Sequence, residues 1–262
     1  MLFPNYPDKY DAPAYLTPGV NLEPSGVGEI DVPEAVILCY QPSFFEYVVR
    51  EHTVMELDVL DGFGRLYSLA DTNGGIGVLG EFGIGAPATA IHVERLIARD
   101  TEVFCIVGGC AGLAGNVARH EPVVCDRAIR DEGVSHHYLP SERYAHADEA
   151  LTSRVKTAID AAGFEPRVGA SWTTDAFFRE TVPEIEHYRD EGVLTVEMEA
   201  AAVFAPAEYR KVDAAALLCP FDLVLANGWE LKREPTVEGL RDLLAPACEA
   251  LAAHVEAGSG SN

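Results

Sequence analysis

Two carboxylates, Glu197 and Glu199, flank a lone methionine in residues 193–210, VLTVEMEAAAVFAPAEYR. Acidic groups suit the first turn of a helix, where they face the positive end of its dipole. That reading accounts for one glutamate and leaves the second, set between an apolar strand and an alanine-rich helix, free for other chemistry. A second constellation, Gly75-Ile76-Gly77-Val78-Leu79-Gly80, matches the dinucleotide fingerprint G-x-G-x-x-G. That fingerprint must lie in a turn that opens a helix, so that pyrophosphate meets the helix N-terminus. Here the glycines interleave with apolar residues as in a strand, and the helix starts only after Gly83-Ile84-Gly85-Ala86-Pro87. The sequence therefore argues against a nicotinamide or flavin site and for a tight Gly83/Gly85 turn into a proline-started helix. Six cysteines lie scattered in mostly apolar runs without CxxC spacing, as small buried thiols of a reducing compartment and not as a zinc site.

The elements that must position these groups follow from hydrophobic patterning. Residues 35–40 (AVILCY) and 102–109 (EVFCIVGG) read as buried strands, the second as a central strand covered on both faces. A hairpin is expected across residues 53–70 with Asp61-Gly62 near its turn, then a strand over GIGVLGEF. Ile91, Leu96 and Ile97 are expected to form the buried side of a helix over 86–100. Further helices are expected near 148–162, 179–191, 199–210 and 236–256, with strands near 121–130, 167–173, 193–197 and 213–221. Pro206 should kink or shorten its helix. Alternation of this kind predicts an α/β domain over 35–262 with a mixed, mostly parallel sheet, preceded by a proline- and glycine-rich extension over 1–34.

The chain has 262 residues, 48% of them hydrophobic, enough for a full core. Its 42 acidic residues against 19 basic ones give a net charge of −23, spread along the chain. Such a surface suits concentrated salt, where screening is nearly complete, and argues against nucleic-acid binding, which needs clustered Lys and Arg. No stretch reads as a transmembrane span or secretory leader, so a cytoplasmic protein with no membrane partner is expected.

Six segments in order, GEFGIGAPATAIHVERLIA, VGGCAGL, AIRDEGVSHHYLP, WTTDAFFRET, VEMEAAAVFAPAEYR and the aspartate of LLCPFDL, together resemble the nucleoside phosphorylases of the uridine phosphorylase and hexameric purine nucleoside phosphorylase type. Methylthioadenosine nucleosidases share the pattern. The resemblance implies a three-layer αβα sandwich, a homo-oligomer, inorganic phosphate as co-substrate, and no metal or organic cofactor. It also implies that Glu199 binds the ribose 2′- and 3′-hydroxyls. A carboxylate's two oxygens suit a vicinal diol, and its charge favours the cationic sugar of glycosidic cleavage. Met198 would pack under the sugar, while Glu197 is open to a helix-start or a supporting role. Asp222 falls where purine-cleaving relatives keep the acid that protonates the departing base. Phe177, or its neighbour Phe178, would pack on the base. Asp175 reads as a cap for the helix at 179 or as structural, and not as catalytic. Trp172, Thr173 and Thr174 read as pocket wall or core.

The departures concern phosphate. The family's G-D-P-x-R segment is replaced by Cys39-Tyr40-Gln41-Pro42-Ser43-Phe44, and its R-V-G-T by Ile106-Val107-Gly108-Gly109, so both arginines are gone. Replacement cations are sought in Arg50, Arg65, Arg130 and Arg179, with His52, His136 and His137 behind them. Gly108 and Gly109 would let backbone N–H groups approach an anion. Phosphorolysis of a ribonucleoside is the leading expectation. Hydrolysis, with Glu46 as the nearest candidate base, and a non-catalytic nucleoside-binding protein are the alternatives. The residues that read uracil in relatives fall on Thr181 and Pro183, so the base stays open.

Overall fold

The computed structural model describes residue 6 and residues 9–18, 30–60, 62–113, 115, 117–225, 228–230 and 237–259. In its first half the chain forms β1 (Ala35–Leu38), α1 (Pro42–Glu51), β2 (Val54–Leu57), β3 (Arg65–Leu69), β4 (Ile76–Gly80), α2 (Ala86–Ile97), β5 (Val103–Gly112) and β6 (Val123–Asp131). There follow β7 (Tyr144–His146), α3 (Glu149–Ala161), β8 (Arg167–Thr174), α4 (Val182–Asp190), β9 (Thr195–Glu197), α5 (Ala200–Arg210), β10 (Asp213–Leu225), β11 (Gly228–Glu230) and α6 (Val237–Ser259). The expected order of elements is present; α1, β7 and β11 are additions to it.

All eleven strands belong to one mixed sheet. Its interior ladders β4–β1–β5–β10 and β6–β8–β9 are parallel, joined and flanked by antiparallel pairs. Strand alternation explains the layers. Ala35, Ile37, Val103, Cys105 and Val107 point to one face, into a core closed by Phe44, Phe45 and Val48 of α1, Leu151 and Val155 of α3, and Leu240, Leu243 and Leu244 of α6. Val36, Leu38, Phe104 and Ile106 point to the other, against Val93 and Leu96 of α2 and Val203 and Phe204 of α5. Each such side chain contributes about 1.5–3 kcal/mol on full burial, so both faces of β1 and β5 must be covered. This is the expected αβα sandwich.

Local sequence accounts for several details. The Gly75–Gly80 fingerprint is strand, as read: a Cβ at Gly80 would overlap the Phe45 ring, and one at Gly77 would lie 2.9 Å from Pro33 Cγ and 3.2 Å from Leu66 Cδ1. Here the glycines make room for packing and not for a phosphate. Gly80→Ala is expected to lose about 1–3 kcal/mol through this overlap, measurable as a lower urea midpoint with unchanged slope. Gly83 and Gly85 take φ of +91° and +89°, completing the expected turn into α2. The hairpin β2–β3 forms, with Gly62 in its loop; Asp61 lies outside the described residues.

One expectation is corrected, and of the kink or shortening expected at Pro206 the shortening is absent. Ile91 is 56% exposed. The buried face of α2 is turned to Ala86, Thr89, Ala90, Val93 and Leu96, a helical repeat that leaves Ile91 on the outer side. Pro206 does not shorten α5, which runs to Arg210 without the hydrogen bond that residue 206 would give the Ala202 carbonyl. Residues 6–18, where described, lie along α2, residues 134–138 and the end of α5, with Tyr10 Oη donating to the His136 carbonyl at 3.1 Å. The described cysteines are all free thiols, and burial pushes Cys39 and Cys105 up to about 12. No described helix is long and apolar enough to cross a membrane.

Candidate active site

The carboxyl ends of β1, β4, β5, β8 and β10 converge with the β9–α5 junction on a cavity of about 240 Å³. That is where parallel strands leave side chains and loops free for ligands. Tyr40 and Gln41 reach it after β1, Ile84 after β4, Gly109 on β5, Phe177 and Glu180 after β8, and Glu197, Met198 and Glu199 at the junction. Phe221 and Asp222 come from β10, where the pairing register with β5 shifts between Pro220 and Asp222. A bulge of this kind re-aims side chains.

The two glutamates of the junction have different partners. Both oxygens of buried Glu197 are taken. Oε1 accepts from Thr173 Oγ1 at 2.6 Å and Ser171 Oγ at 3.2 Å, and Oε2 accepts from the backbone N–H groups of Glu199 (2.7 Å) and Ala200 (2.6 Å). Glu197 is thus the anion at the N-terminus of α5, where its charge opposes the unpaired amides of the first turn. Thr173 Oγ1 also accepts from Ala201 N at 3.0 Å, which tilts its own proton toward Glu197. Glu199 lines the same cavity with fewer of its acceptor sites taken. Its Oε1 accepts from Gly85 N at 2.6 Å and its Oε2 from Met198 N at 3.2 Å, so backbone fixes the carboxylate and one side of each oxygen remains open.

Burial pushes both carboxyls upward, Glu199 to about 8 with the Glu197 charge adding to it and the Gly85 and Met198 amides opposing it. Glu197 has a full complement of donors, whereas Glu199 has two. A proton taken up by the pair therefore goes to Glu199.

The structure brings together Glu197, Met198, Glu199, Gly109, Phe177 and Asp222, all read from the sequence. Met198 Cε stands 4.0 Å from where a Cβ at Gly85 would be, closing the Gly85 side. Phe177 is 42% exposed on the rim, whereas Phe178 is 93% exposed and does not line the cavity. Gly109 lies under the Phe221 ring, whose Cδ2 and Cε2 would be 2.6 Å from an added Cβ. Gly108 is buried beneath Tyr40 and Ile106 and does not line the cavity.

The sought cations lie elsewhere. Arg130 is buried and bonded to Ser135 Oγ and to the carbonyls of Pro140 and Leu139, so its guanidinium holds the 132–140 loop. Arg50 is exposed at the end of α1 beside Glu51, and Arg65 pairs with Glu56 on the hairpin. His137 contacts Lys9 and lines a separate cavity of about 780 Å³ under residues 6–18. Arg179, His52, His136 and the alternative base Glu46 do not line the 240 Å³ cavity either. No described lining residue is basic, and four are carboxylates. Of its two readings, Asp175 takes the structural one and not the cap. It accepts from Gly133 N at 2.8 Å, while Thr181 and Glu184 form the capping box of α4. Trp172 and Thr173 are buried, with Trp172 Nε1 donating to Asp131 at 2.9 Å.

Sequence reasoning missed Gln41, Glu180 and Phe221. Glu180 stands three residues after Phe177 inside a motif already recognised, and Phe221 directly precedes Asp222. Gln41 N-caps α1 without a side-chain bond, and its buried Oε1 is unpartnered.

Comparison with known proteins gives the same direction. The profile of the Phosphorylase superfamily matches residues 61–257. A guanosine phosphorylase of Halorubrum lacusprofundi is 37% identical over 147 residues, 56% of this chain and 60% of that one. A uridine phosphorylase of Treponema pallidum is 31% identical over 172 residues, 62% of this chain and 63% of that one. The chain thus spans somewhat under two thirds of the length of these relatives. The crystal structure of an AMP nucleosidase from Bacteroides thetaiotaomicron superposes with a TM-score of 0.73 at 21% identity, covering 88% of this chain and 92% of that one.

Proposed function

Because the chain belongs to the phosphorylase superfamily, we propose that it cleaves the N-glycosidic bond of a ribonucleoside by phosphate, giving free base and ribose 1-phosphate. The observation that carries this reading is the Glu199 carboxylate, held by two backbone amides at a cavity that Asp222 also lines. Glu199 accepts both hydroxyls of the ribose diol, and Met198 packs beneath the sugar. As the C1′–N bond lengthens, positive charge grows on the sugar beside Glu199 and is stabilised by it. A phosphate oxygen bonds to C1′, the bond's electrons leave with the base, and Asp222 supplies the base nitrogen with a proton. Phe177 packs on the base. Inorganic phosphate is the co-substrate, and the reaction needs no organic cofactor.

Asp222→Asn removes the proton donor while keeping shape and is expected to lower kcat on purine nucleosides about 10²-fold or more with little change in nucleoside affinity. Full activity of that variant would reassign the acid.

A second reading, hydrolysis, is favoured by one observation: none of the described lining residues is a cation, although a phosphate dianion is usually held by arginine. The test is incubation of the purified protein in concentrated potassium chloride with uridine, guanosine, inosine, adenosine and methylthioadenosine, with and without phosphate. Ribose 1-phosphate formed only with phosphate supports phosphorolysis. Free ribose formed without it supports hydrolysis. Release of no base at all would leave a nucleoside-binding protein.

A further inference from the structure

Glu180 is the one cavity-lining carboxylate with no assigned work. It follows Phe177 in the turn between β8 and α4 and lies half-buried on the cavity wall, and its Oε2 is buried without a hydrogen-bond partner. Burial pushes its carboxyl up to about 7, with the Glu184 charge adding to it. A buried acceptor without a donor costs free energy that a ligand bearing N–H groups returns on binding.

Base chemistry narrows the ligand. The N1 edge of a 2-amino-6-oxopurine offers two adjacent N–H donors, on N1 and on the exocyclic amine, which match the two oxygens of one carboxylate. The corresponding edge of adenine presents the N1 lone pair. That of uracil presents one N–H between two carbonyl oxygens, which a carboxylate repels. A purine turned so that its imidazole nitrogen meets Asp222 directs its N1 edge away from Asp222, where an acceptor such as Glu180 can meet it.

We propose that Glu180 is the specificity-determining residue of this site, its carboxylate accepting N1–H and the exocyclic amine of a 2-amino-6-oxopurine nucleoside stacked on Phe177. The proposal rests on the glycosidic-cleavage reading of the same cavity and adds the substrate class.

The test compares guanosine, 1-methylguanosine and adenosine on the full chain and on Glu180→Gln, by base release with phosphate present. The unsubstituted protein is expected to favour guanosine over 1-methylguanosine by about 10- to 100-fold in kcat/KM, as a charge-assisted donor pair requires. Glu180→Gln should remove most of that preference by lowering guanosine turnover, should lower 1-methylguanosine, which keeps the exocyclic amine, by less, and should not lower adenosine. An equal fall for all three would make Glu180 a mere wall of the cavity and overturn the proposal, as would an unchanged ratio. Calorimetry of guanine against 1-methylguanine on the unsubstituted protein needs neither a variant nor turnover. Tighter guanine binding alongside no base release would sink the cleavage reading and keep the Glu180 assignment; equal binding of the two bases would sink the assignment itself.

Discussion

Glu199→Gln is expected to lower kcat/KM on the cleaved nucleoside by about 10²- to 10³-fold. The substitution keeps the size of the side chain and one acceptor oxygen for the Gly85 or Met198 amide. What it removes is the charge beside the sugar and the second acceptor for the diol. Because the loss is of charge developed against the transition state, kcat should fall along with kcat/KM. The pH profile is a second readout. Burial and Glu197 hold the Glu199 carboxyl up to about 8 in the free protein. An acid with a raised pKa keeps its proton until the pH exceeds that value, so the competent carboxylate is the high-pH form. Activity should therefore rise with pH through about 8 and be lost below it, and the Gln variant should lack this limb. A limb that persists unchanged in the variant would assign the titration to another group.

Glu197→Ala is expected to act on folding. The change strips an acceptor from two backbone amides and two buried hydroxyls at once. Ser171 can turn toward other acceptors, since it already lies 3.4 Å from the Thr195 carbonyl, but the amides of Glu199 and Ala200 are fixed by the helix. A cost of about 2–5 kcal/mol is expected, seen as a fall of roughly 5–15 °C in Tm. Glu197→Gln, with its oxygen toward the amides and its NH2 toward the hydroxyls, should recover at least half of that loss. If Glu197→Ala instead kept its Tm and lost only turnover, Glu197 would belong to the reaction and not to the helix.

The contrast between these two glutamates shows how far the sequence could be read. The strand–helix junction was legible from four apolar residues followed by alanines, and the family segment distinguished Glu199 from its neighbour. The helix-start role open to Glu197 was legible, but its partners Ser171 and Thr173 were not, because they sit on β8, some twenty-four residues away. Likewise α1 escaped notice. Its start was weighed only against the phosphate segment of relatives, yet Phe44, Phe45 and Val48 give it a buried face and Pro42 starts it. The cations were sought by type alone, and type says nothing about reach. Arg130 looks like an anion binder until its loop carbonyls are seen around it. Glu180 lay within a recognised motif but was given no role in it, and the cavity reveals it.

The two ends of the cavity are built differently. The Glu199 end is wired into the backbone of α2's entry turn and the first turn of α5, both packed against the sheet. The Phe177–Glu180 end rests on a short exposed turn between β8 and α4. Changes to the first end disturb the folded scaffold, while changes to the second touch mostly solvent and the ligand. The two ends therefore differ in what a substitution disturbs. Under the proposed function, a library confined to residues 176–181 is expected to alter base preference while leaving the Glu199 end folded.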